Sequence, residues 1–165
     1  MRERYARFPV FIRLDDRQIL FFGAGSVAKR RIQVLLSFGA KIQVIAPKIP
    51  GSVEEQFRTW IKTGQVHYKK KQFEETDLEK SMFMVFAATD KPEVNAMIAR
   101  LCRKRGIPVN NASDASDCDF FFPSVVRKED IVIGITGNGE DHRKVREVRE
   151  MIQWKSDEKE EHICL

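Results

Sequence analysis

RQILFFGAGSVAKRRIQVLLSFGA, Arg17 to Ala40, decides how the rest of the chain is read. Its apolar run, Ile19 to Phe22, stops abruptly at Gly23 and Gly25. Such a run reads as a strand buried on both faces that feeds a tight turn. From Ser26 the period changes. Val27, Ile32, Leu35 and Leu36 recur on one helical face, and Gly39 stands where a glycine closes a helix. The turn between strand and helix has the form G-x-G-x-x-A. Gly23 permits the bend, Gly25 lets the backbone approach a pyrophosphate, and Ala28 allows close packing of helix on sheet. The helix N-terminus, opened by Ser26 and Val27, offers unpaired N–H groups to the anion. A strand before and a helix after give the motif the context that makes it a dinucleotide-binding turn.

The same alternation continues outward. KIQVIAP is a second strand, stopped by Pro47, and SVEEQFRTWIKTG is an amphipathic helix with Val53, Phe57, Trp60 and Ile61 on its stripe. VHYKKKQF reads as a short, half-exposed strand and MFMVFAATD as a buried one. A helix follows in KPEVNAMIARLCRKRG, with Pro92 in its first turn and Gly106 after its end. IPVNN and DIVIGIT are further strands. Repeated strand–helix–strand units imply an α/β fold with a doubly wound, mostly parallel sheet of Rossmann-like type. DHRKVREVREMIQWK forms a charged helix with Val145, Val148, Met151 and Ile152 as a thin stripe. SDEKEEHICL lacks the pattern of a packed element. The expected division is a dinucleotide-binding domain over residues 1–137 and a short helical extension with a disordered tail over residues 138–165.

Composition sets bounds on this reading. Apolar residues make up 42% and charged residues 32% of the 165, as in ordinary soluble domains. No apolar run reaches the roughly 18 residues of a membrane span, so no membrane partner is expected. The basic N-terminus lacks a small-residue cleavage site and reads as mature protein. Cys102, Cys118 and Cys164 are odd in number and scattered, which supports neither a disulfide framework nor a CxxC metal site and favours a cytoplasmic setting. The net charge of +5 suits a basic surface or a polyanionic small molecule better than nucleic acid.

Two features locate the ligand. A dinucleotide fold usually carries an acidic residue about 20 positions beyond the glycine turn, to bind the ribose hydroxyls. Here the second strand ends in Ile45-Ala46-Pro47-Lys48, with no acid. Either main chain holds the ribose or Lys48 faces a 2′-phosphate, and the residues alone leave NAD and NADP open. In VFAATDKPEVN, a buried strand ends in Ala87 and Ala88, small enough to admit a cofactor ring, followed by Thr89 and Asp90. That position faces the ligand crevice of an open α/β sheet, and Asp90 also suits a helix N-cap.

Taken together, FPVFIRLDDRQILFFGAGSVAKRRIQVLLSFGAKIQVIAP, VFAATDKPEVN and VNNASDASDCDFFFPSVVRKEDIVIGIT resemble the precorrin-2 dehydrogenase / sirohydrochlorin ferrochelatase family of sirohaem biosynthesis. The resemblance implies an NAD-dependent oxidoreductase that converts precorrin-2 to sirohydrochlorin, with ferrous iron insertion in some members. It places Gly25, Ser26, Val27 and the Pro47–Lys48 pair along the adenosine and pyrophosphate, and Ala88 and Thr89 beside the nicotinamide. It resolves the cofactor as NAD. It also implies a homodimer, built on a helical domain longer than the residues left here after position 137. A polycarboxylate tetrapyrrole suits a basic crevice, for which Arg127, Lys128, Arg143, Lys144, Arg146 and Arg149 are candidates, with Phe120 to Phe122 nearby. For each of these a surface or core role is the plainer reading.

The sequence departs from the family at one telling place. Members carry paired aspartates in the VNNASDASDCDF region, and the first is the proposed acid/base residue. Aligned on Cys118-Asp119-Phe120, Ser113 takes that position and Asp114 follows it. An unassisted serine is far too weakly acidic to act as a general base. Asp114 substitutes, or oxidation needs little acid/base help, or the chelatase is lost while oxidation survives. The reading adopted is a dehydrogenase with weak or absent ferrochelatase. Its competitors are a non-catalytic NAD(H)-binding regulatory module and a chelatase or metal-delivery protein on the same fold. Cys118 reads as a small buried hydrophobe and His142 as a surface residue, so no metal ligand is assigned.

Overall fold

The computed structural model describes residues 8–137 and 142–161. The chain divides into two compact units, Ile12–Phe121 and a second drawn from the chain on either side of it.

The first unit holds a five-stranded parallel sheet. Its strands are β1 (Gln18–Phe22), β2 (Lys41–Ile45), β3 (Val66–Lys69), β4 (Met84–Ala87) and β5 (Val109–Asn111), in the order β3-β2-β1-β4-β5. Each neighbouring pair is parallel. Three helices accompany them: α1 (Ser26–Leu36), α2 (Glu54–Lys62) and α3 (Pro92–Arg105). The expected Rossmann-like, doubly wound architecture is therefore what the chain forms. One crossover has no α-helix: β3 reaches β4 through a loop with a single 3-10 turn, Glu75–Asp77.

The central strands follow from their composition. Ile19 to Phe22 of β1 and all of β4 are fully covered, because helices lie on both faces of a parallel sheet. Register sets Phe21 opposite Phe86, and their rings stack at 4.4 Å with planes 7° apart. Phe120 meets the Phe86 ring edge-on at 5.4 Å. Val53, the N-cap of α2, and Phe57 and Trp60 on the helix bury as the stripe predicts, whereas Ile61 remains 37% exposed. On α1, Ile32 and Leu35 bury, but Val27 faces outward.

Helix ends obey local chemistry. Gly106 closes α3 at φ +70°, and its N–H donates to the Arg103 and Cys102 carbonyls. Asp90 does not cap α3 as expected; the N-cap is Lys91. The reason is Pro92, whose ring forces the residue before it into extended geometry, here φ −115° and ψ 103°. The Lys91 N–H is met by the Thr89 hydroxyl at 3.2 Å.

The second unit contains an antiparallel hairpin, β6 (Ser124–Lys128) and β7 (Ile131–Ile135), and α4 (His142–Glu161). DIVIGIT is thus a strand of this hairpin and not of the parallel sheet. Its partner SVVRK carries no strict alternation, so its own sequence does not mark it as a strand. Val145 and Ile152 of α4 are half-buried, while Val148 and Met151 of the expected stripe are exposed. The helix runs on to Glu161 through a Lys/Glu-rich segment of good helix formers. Residues 138–141 and 162–165, with Cys164, lie outside the described residues, as does the His142 side chain.

Phe86 anchors two aromatic contacts at the sheet centre. Phe86→Ala is expected to cost roughly 3–5 kcal/mol of stability, read as a lower urea midpoint with an unchanged slope.

Candidate functional site: a cleft at the switch point of the sheet

The strand order reverses between β1 and β4, and the carboxyl ends of β1, β2 and β4 lie level. In open α/β sheets ligands bind at this switch point. A cleft of about 490 Å³ occupies it, lined by the β1–α1 turn, the end of β2 and the β4–α3 turn. Gly23, Gly25, Ser26, Val27, Pro47, Lys48, Ala88 and Thr89 all border it, and Gln72, Phe73, Asp90, Lys91, Val94 and Met97 are also on its wall. Ala28 does not reach the cleft. It is fully buried, which is the packing role its place in the motif predicts.

The two glycines do different things. Gly23 turns at φ +101°, where side chains are strained, and a β-carbon there would overlap the Ala88 carbonyl oxygen and sit 2.6 Å from its carbon. Its N–H donates to Ile45 O at 2.9 Å, while Ala88 N–H donates to Phe22 O at 2.8 Å. Gly23 is thereby locked between the ends of β2 and β4. Gly25 is the N-cap of α1 in extended geometry with no capping side chain, and a β-carbon on it would meet nothing within 4 Å. A bare backbone facing open space, backed by the uncapped N-terminus of an eleven-residue helix, fits a pyrophosphate. Of the two alanines expected beside a ring, Ala88 borders the cleft, whereas Ala87, the last residue of β4, is fully buried in the core.

Behind the cleft stands a residue that the sequence reading passed over. Asn95 is fully buried on α3. Its Oδ1 accepts from Thr89 N at 3.0 Å and from the Thr89 hydroxyl at 2.7 Å. Its Nδ2 donates to Thr89 O at 3.2 Å and to Ser113 Oγ at 2.6 Å. A signal for it existed: Asn95 shares the helical face of Ile98, Ala99 and Cys102, as the one polar member of a buried stripe.

The polar side chains of residues 109–120 bond within that stretch and to Arg31, Asn95 and Arg103. Asp114 caps the 3-10 turn Ala115–Asp117, accepting from Ser116 N at 2.8 Å and from Ser116 Oγ at 2.7 Å. Those bonds hold its carboxyl below the usual carboxylate range. Asp117 accepts from the Asn111 amide at 3.0 Å and from Arg103 at 2.5 Å, and is lowered chiefly by Asn111. Asp119 accepts from Arg103 and from Val109 N, both at 3.0 Å. Asn110 links this loop to α1 by accepting from Arg31 at 2.6 Å, and burial pushes the Arg31 guanidinium down to about 10. Cys118 donates to the carbonyls of Asn111 and Asp114, and burial pushes its thiol up, away from a reactive thiolate.

Ser113 is exposed at the head of this loop, joined to Thr89 through Asn95 but not itself on the cleft wall. Arg127 and Lys128 lie on β6, and Arg143, Lys144, Arg146 and Arg149 on α4, all in the second unit. Arg146 is paired with Glu150 at 2.7 Å. Among the described residues no helix is long and apolar enough to cross a membrane.

A parallel sheet with a glycine turn, an uncapped helix N-terminus and a cleft at its switch point defines a Rossmann-like dinucleotide-binding protein. The comparisons name the group: the chain belongs to the family described as "Putative NAD(P)-binding", whose model matches residues 10–124. The siroheme synthase of Nitrosococcus oceani is 34% identical over 131 residues, covering 79% of this chain and 27% of its own length. That of Methylococcus capsulatus is 34% identical over 145 residues, covering 88% and 30%. The chain thus spans less than a third of the curated relatives it matches. A solved structure, "SirC, precorrin-2 dehydrogenase", superposes with a TM-score of 0.67 at 26% identity, covering 90% of this chain and 71% of that one.

The two glycines should separate in their effects. Gly23→Ala is expected to lower stability by at least about 2 kcal/mol, from strain at positive φ and the Ala88 overlap. Gly25→Ala should leave the melting temperature nearly unchanged yet weaken NADH binding about tenfold, roughly 1.4 kcal/mol, in a fluorescence titration. Acid should loosen the Val109–Phe120 loop. Asp114 and Asp117 have lowered folded values, so their stabilisation is complete above the unfolded carboxylate range near pH 4 and is lost as pH falls through those values. Hydrogen exchange across this loop, followed from pH 6 to pH 3, should accelerate before that of the central strands.

Proposed function

We infer that the chain is an NAD-dependent dehydrogenase that oxidises precorrin-2 to sirohydrochlorin in sirohaem biosynthesis. The observation that carries this reading is the cleft at the switch point. There Gly25 presents unobstructed backbone and an uncapped helix N-terminus to a pyrophosphate, beside small residues at the end of β4. Similarity to siroheme synthases and to a precorrin-2 dehydrogenase structure supplies the substrate class.

In this reading Gly25, Ser26 and Val27 hold the pyrophosphate, Pro47 and Lys48 border the adenosine ribose, and Ala88 and Thr89 flank the nicotinamide. NAD, when bound, supplies the hydride acceptor. The substrate loses one hydride to it and one proton to solvent, so the step balances without a strong base on the protein. That suits the residues present, since Ser113 is a hydroxyl and Asp114 spends its carboxylate on the Ser116 cap. Iron insertion must remove two pyrrole protons, and neither group is equipped to take them. We therefore propose oxidation with weak or absent ferrochelatase activity, in a cytoplasmic homodimer.

The test is anaerobic incubation with precorrin-2 and NAD. Stoichiometric NADH and the sirohydrochlorin spectrum are expected, with little metal insertion when ferrous iron is then supplied. Rapid insertion that collapses in Asp114→Ala but survives in Ser113→Ala would overturn the second part. No NADH production would overturn the first.

A further inference from the structure

We propose that Asn95 is a positioning residue that fixes the Thr89 peptide on the cleft wall and turns the Ser113 hydroxyl outward as a hydrogen-bond donor to the substrate. The proposal rests on the proposed function in one respect: Ser113 stands where the family resemblance puts the acid/base residue, so the loop it heads is taken to meet the substrate.

The argument is one of hydrogen-bond directions. A side-chain amide has two protons to donate and one oxygen with two lone pairs. Thr89 presents both a peptide N–H and a peptide C=O to Asn95, at 3.0 Å and 3.2 Å. Only one orientation of the amide satisfies both, with Oδ1 toward the N–H and Nδ2 toward the C=O. The second Nδ2 proton then points at Ser113 Oγ, 2.6 Å away, which must accept it. With Oγ accepting on that side, its own proton is turned away from Asn95, and no acceptor within the described residues engages it. Asn95 is fully buried and all four of its bonding capacities are used, so the arrangement cannot rotate without leaving a buried polar group unpaired. One residue of α3 thus sets both the wall of the dinucleotide cleft and the polarity of the hydroxyl on the neighbouring loop. The same arrangement explains why serine serves here as a donor and not as a base.

Asn95→Asp tests this, because a carboxylate of the same shape keeps the bonds from Thr89 N–H and Thr89 Oγ but draws the Ser113 proton inward. Asn95→Asp and Ser113→Ala are each expected to raise the KM for precorrin-2 about tenfold with a smaller change in kcat. The double variant should be no worse than the more impaired single one, since both remove the same donor. Additive losses, or an unchanged KM in Ser113→Ala, would overturn the proposal. A second measurement needs neither substrate nor a folded Asn95 variant. Ser113→Ala, a change at an exposed site, should move one of the two Asn95 side-chain N–H resonances in a nitrogen-15 correlation spectrum. A resonance that does not respond overturns the proposal. Absence of precorrin-2 oxidation by the unmodified protein, with that shift present, overturns the assigned reaction while supporting Asn95 as the residue that orients the hydroxyl.

Discussion

At Gly23 the backbone leaves β1 with φ +101° and passes so close to the Ala88 carbonyl that no β-carbon fits between them. The constraint is mutual. Gly23 N–H is bound to the end of β2, and Ala88 N–H is bound to the end of β1, so three strand ends are held level by two hydrogen bonds and one missing side chain. The cleft exists because those ends are level. Were β1 to end a residue later, α1 would start elsewhere and its N-terminus would no longer face the β4–α3 turn. Gly25, two residues on, has no such burden and is free to serve a ligand.

The aspartates between Asn111 and Phe120 show how an acid-rich loop is used for shape. Arg103 spans Asp117 and Asp119, while Asp114 closes its own turn through Ser116. Charge-assisted bonds of this kind order the loop. At Asp114 and Asp117 they also hold the carboxyl below its usual range, which makes each a poorer proton acceptor. Ser113 is among the exposed residues of this loop, and its hydroxyl accepts a hydrogen bond from the buried Asn95 amide.

The division of labour between the buried stripe of α3 and the two loops explains the coupling of positions far apart in sequence. Thr89 and Ser113 sit after neighbouring strands, β4 and β5, and α3 is the connection between those strands. Asn95, on the buried face of that helix near its start, is bonded to the residues after both strands. A polar side chain is tolerated at this depth only because all its bonding groups are met.

Much of this protein was determined by the order of its residues alone. Period changes at Gly23, Gly39, Gly64 and Gly106 separate strands from helices, since local sterics and burial on one face leave their mark in neighbouring residues. The glycine turn and the small residues after β4 were legible for the same reason: Gly23, Gly25 and Ala88 border the cleft, while Ala28 and Ala87 are buried beneath it in the core. Tertiary structure decided the rest. SVVRK pairs with IVIGI because a hairpin partner is present, not because its own pattern demands a strand. Asp90 loses the cap of α3 to a proline two residues on. Asp114 and Ser113 look interchangeable as neighbours in a string, yet one is consumed by its own turn while the other is addressed by Asn95, 18 residues away. Hydrogen-bond partners are chosen by proximity in space, and only the packed sheet brings those groups within reach of one another.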